Sequence, residues 1–160
     1  MIFLTVGTQL PFDRLIRYMD SIAQQIDEEV IGQIGNTPYK PENYNFWPNL
    51  TPREFENKIS QCRVIVSHAG IGSVLTAQKY GKPIIIVPRK AAFKEHRNEH
   101  QLATCKQLQG RKGIYIADTA EEIYHYLSSV KLERQPDPSK NNDRNYFIEN
   151  LSKYLMSIST

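Results

Sequence analysis

The sequence predicts an α/β domain built on a doubly wound parallel sheet. Short apolar runs of strand length alternate with amphipathic stretches of helix length. Thr-x-x-Glu capping signals stand before two of those stretches, and a glycine turn, SHAGIGS at 67–73, joins one apolar run directly to a helix.

In chain order, IFLTV at 2–6 is a continuous apolar run ending at Gly7 and Thr8, the pattern of a strand buried on both faces that delivers a loop at its carboxyl end. Leu15, Met19, Ile22 and Ile26 then recur at helical spacing, which predicts a helix over 12–25. Residues 30–34 and 44–46 read as two further strands, separated by the turn formers Gly35, Asn36, Pro38 and Pro41. Thr51, Pro52 and Glu54 take the N-cap, first-helical and N3 positions of a helix over 52–61. The Thr hydroxyl and the Glu carboxylate satisfy exposed amides there, and Pro gives up an N–H that has no partner anyway.

The pattern continues with a strand over 63–67, a helix over 73–80, a strand over 83–87, a helix over 97–108 stopped by Gly110 and a strand over 113–117. Thr119 and Glu122 repeat the capping spacing ahead of Ile123, Leu127 and Val130. These elements form one unit over 1–130. Residues 131–143 are polar, carry Pro136 and Pro138, and read as a linker. Beyond it Phe147, Leu151, Tyr154, Leu155 and Ile158 place an apolar stripe on a helix over 144–160, suited to this domain or to another chain.

Bulk properties narrow the class. A chain of 160 residues holds one ordinary domain, and 40% hydrophobic with 23% charged residues is ordinary globular usage. The net charge of +3 is carried by scattered basic residues with no run of Lys and Arg, which argues against nucleic acid as a partner. Cys62 and Cys105 lack CxxC spacing and read as buried thiols in a reducing compartment. MIFLTV is too short and lacks the basic flank of a signal peptide, so the expected location is cytoplasmic.

Ligands of open parallel sheets bind outside the carboxyl ends of strands. Three such ends carry suggestive loops here: Gly7 and Thr8, SHAGIGS at 67–73, and the stretch from 88 to 101. Gly70 and Gly72 remove side chains where a helix begins, so a diphosphate can approach free N–H groups at the positive end of the dipole while Ser73 donates a hydroxyl. A glycine turn needed only for packing is the plainer reading of an isolated GxG. The dinucleotide fingerprint is incomplete, and a GK[ST] phosphate grip is missing. The segment PRKAAFKEHRNEHQ offers Arg89, Glu95, His96, Asn98, Glu99, His100 and Gln101, a donor and acceptor set that suits a polyhydroxylated ligand. Of His68, His96 and His100 only His96 and His100 stand at i,i+4 spacing, which gives a metal site little support, and a GxSxG elbow is absent.

VGTQLPFDRLI at 6–16, SHAGIGSVLTA at 67–77, GKPIIIVPR at 81–89 and EHRNEHQLA at 95–103, taken together, resemble the C-terminal domain of glycosyltransferase family 28. Within that family the chain is most similar to short bacterial exopolysaccharide subunits, relatives of the catalytic subunit of the two-chain transferase that adds the second N-acetylglucosamine to dolichol diphosphate. The resemblance implies the Rossmann-like C-terminal half of a GT-B glycosyltransferase. It further implies a UDP-sugar-binding catalytic subunit of an inverting, metal-independent hexosyltransferase with no cofactor. A membrane-associated acceptor-binding subunit would bring a lipid-linked saccharide and supply the general base, so the chain would be recruited to the inner face of the membrane.

Carried over by residue, the diphosphate falls to Gly7, Thr8, His68, Ala69, Gly70, Gly72 and Ser73. Ribose and sugar fall to Thr76, Arg89, His96, Glu99, His100 and Gln101, with His100 and Gln101 the pair on the donor sugar. Thr76 stands where the family often has a ribose-binding glutamate, and Ala103 where relatives often place another acid. A DxD motif is absent, which suits a leaving diphosphate stabilised by amides and a helix dipole. The alternative is a non-catalytic scaffold that stimulates a partner transferase.

Overall fold

The computed structural model of the protein describes residues 1–137, 139 and 153. Six strands form one parallel sheet: β1 (Ile2–Thr5), β2 (Val30–Gln33), β3 (Asn45–Trp47), β4 (Val64–His68), β5 (Ile84–Val87) and β6 (Ile114–Ile116). Among the described residues four α-helices connect them, α1 (Asp13–Ala23), α2 (Pro52–Gln61), α3 (Ile71–Lys79) and α4 (His100–Leu108), and a fifth, α5 (Ala120–Ser129), follows β6. The strand order β3-β2-β1-β4-β5-β6 reverses direction between β1 and β4. This is the doubly wound order, and the reversal opens a crevice at the carboxyl ends of those two strands.

Alternation along the buried strands divides the core in two. Ile2 and Leu4 of β1, with Val64 and Val66 of β4, pack with Leu15, Ile16 and Met19 of α1 and with Ile123 of α5. Phe3, Ile65, Ile84 and Ile86 face the other way onto Ile59 of α2, Val74 and Ala77 of α3 and Leu108 of α4. The strands read as near-continuous apolar runs because both faces are covered. Cys62 and Cys105 are free thiols in the second core, and burial pushes them up to about 11 and about 12.

Both predicted capping boxes form. Thr51 and Thr119 accept from the N–H of Glu54 and Glu122, whose carboxylates accept from the Thr amides in return. Other boundaries move by a residue or two, and two shifts matter for the crevice. Gly70 is extended and acts as the N-cap, so α3 begins at Ile71 instead of 73, and His68 ends β4 instead of opening the turn. Likewise α4 begins at His100 instead of 97, because residues 88–99 are drawn into a separate path containing one 3-10 turn (Ala91–Phe93) and a left-handed Lys94 with φ of 58°.

Arg14, at the start of α1, fixes that path. Its Nε and Nη2 donate to both Glu95 oxygens at 2.7 and 3.0 Å, Nη2 also reaches the Pro88 carbonyl, and Nη1 reaches the Asp118 carbonyl. One guanidinium therefore joins the start of α1 to the loops after β5 and β6. Of the region expected as a linker, residues 131–137 are irregular, and the first of them lie against the sheet. Leu132 packs on the α1 side, Glu133 N–H donates to Tyr115 Oη, and buried Gln135 donates to the Lys82 carbonyl. The stripe expected on 144–160 lies outside the described residues. Among the described residues no helix is long and apolar enough to cross a membrane.

Asp20, buried on α1, anchors the loop before β3 by accepting from Tyr39 Oη, from the amides of Glu42 and Asn43 and from Asn43 Nδ2. Burial raises its carboxyl pKa, and these hydrogen bonds outweigh burial and hold it below the ordinary value. Asp20→Ala leaves two backbone donors without an acceptor. Despite better helix propensity it should lose about 1–3 kcal/mol in urea denaturation, and unchanged stability would contradict this anchoring role.

Candidate active site at the strand reversal

A cavity of about 640 Å³ opens at the carboxyl ends of β1, β2 and β4, at the point where the strand order reverses. Of the residues singled out in the sequence, it brings together Gly7, Thr8, His68, Gly72, Ser73, Thr76, Arg89, His96 and Gln101. Four others stand elsewhere. Ala69 is buried in the second core, and Gly70 is the N-cap of α3, outside the lining. Glu99 borders a neighbouring recess and spends a carboxylate oxygen on the Ala91 amide. His100 lies off the cavity, with its amide donating to Asn98 Oδ1 and its ring 6.4 Å from that of His96.

The first turn of α3 faces the cavity with Ile71, Gly72 and Ser73, whose amides have no carbonyl four residues earlier within the helix. Together with the dipole these groups favour an anion. A Cβ built on Gly72 meets nothing within 4 Å, so glycine there keeps space open. Thr76, one turn on, donates its hydroxyl to the Gly72 carbonyl at 2.8 Å and keeps its lone pairs for an incoming hydroxyl.

His68 fills the floor between two glycines. A Cβ on Gly70 would lie 2.2 Å from its Cε1, and one on Gly7 2.9 Å from its Nε2, so both positions exclude any larger residue while the ring is in place. Gln101 Nε2 is 3.2 Å from His68 Nδ1, and Ser73 Oγ is 3.4 Å from His68 Nε2. Burial, with Arg89 and His96 adding positive charge nearby, pushes the His68 pKa down to about 4. The ring is neutral at physiological pH.

Arg89 is 3% exposed and donates to the carbonyls of Val6, Leu10 and Pro11, with its guanidinium 4.7 Å from the centre of the Phe12 ring. Burial lowers its pKa to about 10, so it stays cationic at neutral pH. Among the described residues no carboxylate lies within ion-pair distance of it. A buried cation held by carbonyls alone leaves positive potential in the cavity wall.

The sequence reading missed the opposite wall. Thr5 and Gln33, adjacent in strand register, form a polar step in which Thr5 Oγ1 donates to Gln33 Oε1 at 2.7 Å. Leu50, Phe55 and Ile71 add apolar surface beside it. The rule that ligands meet the carboxyl ends of strands already pointed to Gln33. Leu50 and Phe55 gave no local signal, since Leu50 is a lone apolar residue before the α2 cap and Phe55 an ordinary helix-face residue. Among the described residues no three His, Cys, Asp or Glu side chains are gathered in a way that could hold a metal ion.

Comparison with known proteins agrees with this architecture. The human UDP-N-acetylglucosamine transferase subunit ALG13 is 32% identical over 119 residues, covering 67% of this chain and 10% of the human protein. The chain thus spans about a tenth of that relative's length. Among solved structures, the kitacinnamycin glycotransferase superposes with a TM-score of 0.60 at 15% identity, covering 98% of this chain and 39% of that one. An NMR structure of ALG13 superposes with a TM-score of 0.57 at 16% identity, covering 86% of this chain and 91% of that one. At these identities the structural matches establish the fold, the Rossmann-like α/β half of a GT-B glycosyltransferase. The model of the glycosyltransferase family 28 C-terminal domain matches residues 1–154, and the chain belongs to that family.

Proposed function

We propose that this chain is the UDP-sugar-binding catalytic subunit of an inverting, metal-independent hexosyltransferase. It would act on a lipid-linked saccharide held by a separate, membrane-associated acceptor subunit. The observation that carries the reading is the convergence of the α3 first-turn amides, the neutral His68, Ser73 and the buried cation Arg89 on one cavity at the strand reversal. That convergence suits a diphosphate. The name of the relative, a UDP-N-acetylglucosamine transferase subunit, supports UDP as the nucleotide and a partner chain.

In this reading the diphosphate lies over Gly72 and Ser73, with Gly7 and Thr8 closing above it. The nucleoside rests against Leu50, Phe55 and Ile71, its ribose hydroxyls reach Thr76, and the sugar extends toward His96. An acceptor hydroxyl oxygen attacks the anomeric carbon from the face opposite the diphosphate. A carbon–oxygen bond forms there as the bond to the diphosphate breaks. UDP leaves with the bonding electron pair, and the acceptor proton passes to a base on the partner subunit. The charge growing on the leaving oxygen is met by groups already oriented before reaction, which is the efficient form of electrostatic stabilisation.

Calorimetry tests the site. Gly72→Trp projects into open space, so UDP binding should be abolished while the melting temperature stays near that of wild type. Equal UDP affinity in the two proteins would remove the diphosphate from this turn. His68→Ala should weaken UDP roughly ten- to a hundredfold, the loss expected for one hydrogen bond in a charged site.

A second consequence concerns acid stability. The His68 pKa in the folded chain, about 4, lies below the ordinary 6.5, so the unfolded chain binds more protons between those values. The associated stability is fully present above pH 6.5 and is lost as pH falls toward 4. Melting curves of His68→Gln should therefore fall less steeply than wild type across that window. Parallel profiles would contradict a buried neutral imidazole.

A further inference from the structure

The Gln101 carboxamide is surrounded in a way that leaves it one orientation. Its Oε1 accepts from two buried backbone amides, Ala69 N–H at 3.2 Å beyond the end of β4 and Arg89 N–H at 2.9 Å beyond the end of β5. Backbone amides only donate, so the oxygen must face them and the NH₂ group must face His68 Nδ1 at 3.2 Å. A donor at that distance requires Nδ1 to be the accepting nitrogen. The proton of the neutral ring then sits on Nε2, which lies 3.4 Å from Ser73 Oγ. Ser73 accepts it, and its own hydroxyl proton is free to turn into the cavity.

We propose that Gln101 is a positioning residue that fixes His68 as the Nε2–H tautomer, so that a one-way chain of donors runs from the Ala69 and Arg89 amides through Gln101, His68 and Ser73 to an anionic diphosphate oxygen. The inference rests on the nucleotide reading of the cavity but assigns Gln101 a different task from contact with the donor sugar. Polarity is the point. With the other tautomer, His68 Nε2 would take the Ser73 proton and a serine lone pair would face the phosphate. The same three side chains would then repel the ligand they otherwise hold. Hydrogen bonds pointing one way also polarise one another, which strengthens the terminal donor.

The groups around the ring support the neutral state. Arg89 and His96 approach from the loop after β5, Ser73 from α3 and Gln101 from α4, while Gly7 and Gly70 close the remaining sides without side chains. The two charged or titratable neighbours are both bases, and both disfavour a second proton on His68. Gln101 is 7% exposed and Ala69, whose amide it accepts from, is 1% exposed, so water has little access from behind.

Nitrogen NMR of the histidine-labelled, ligand-free chain reads the tautomer directly. The His68 proton is expected on Nε2 in wild type at pH 8, and a proton on Nδ1 or an equal mixture would overturn the proposal. In Gln101→Glu a carboxylate faces Nδ1 and can only accept, so the His68 proton should move to Nδ1 and UDP affinity at pH 8 should fall about tenfold. Ser73→Ala should cost a similar factor, and the double variant no more than either single one, because all three break one chain. Multiplying losses would show that Gln101 acts independently of Ser73 and would sink the relay. If wild type binds no UDP, the nucleotide reading fails, and the ligand-free spectra still decide the tautomer. If Gln101→Glu does not fold, the wild-type spectrum and Ser73→Ala carry the test.

Discussion

The site depends on one buried cation. Arg89 leaves the end of β5, crosses beneath the loop after β1 and donates to three of its carbonyls, those of Val6, Leu10 and Pro11. Without it, residues 6–11 would lose their shared anchor, and Gly7 and Thr8 would have no fixed place above the cavity. Burying a guanidinium away from carboxylates is costly unless its donors are satisfied, and here carbonyls satisfy them without cancelling the charge. The interaction that shapes the loop therefore also sets the sign of the potential in the cavity. Its neighbour His68 is kept neutral first by burial, and Arg89 adds to this, since a second positive charge in the same wall is disfavoured.

This arrangement turns the parallel sheet into a binding device with few moving parts. The sheet supplies strand ends at one level, the reversal between β1 and β4 supplies the gap, and α3 supplies oriented amides at its rim. His68, wedged between glycines, converts the gap from a passive slot into a floor with a directed hydrogen bond. Each of these contributions is in place before any ligand arrives, so little ordering cost remains for binding.

Much of this architecture was legible from local sequence. Strand identity follows from unbroken apolar runs such as IFLTV, and the helix starts at Thr51 and Thr119 follow from contacts three residues apart. The start of α4 was not legible, because Glu95 is held by Arg14, which lies 81 residues away in the chain, and nothing near residue 97 records that restraint. The pair His100 and Gln101 shows a second limit. Adjacent helical residues point about 100° apart, so one of them turns inward to the strand ends while the other lies off the cavity. Which one turns inward is decided by amides after β4 and β5, far from either residue in sequence. The strand-end rule reached Gln33, but its pairing with Thr5 exists only once β1 and β2 are in register.

The Arg14 bridge has a consequence for how such a domain can diversify. Because one side chain of α1 ties the loops after β5 and β6 together, an insertion or deletion in either of them is transmitted to the other and to the start of α1. Loop lengths on this face are then not independent variables. A lineage that changed its ligand through these loops would have to exchange them as a set, or first release the guanidinium that holds them.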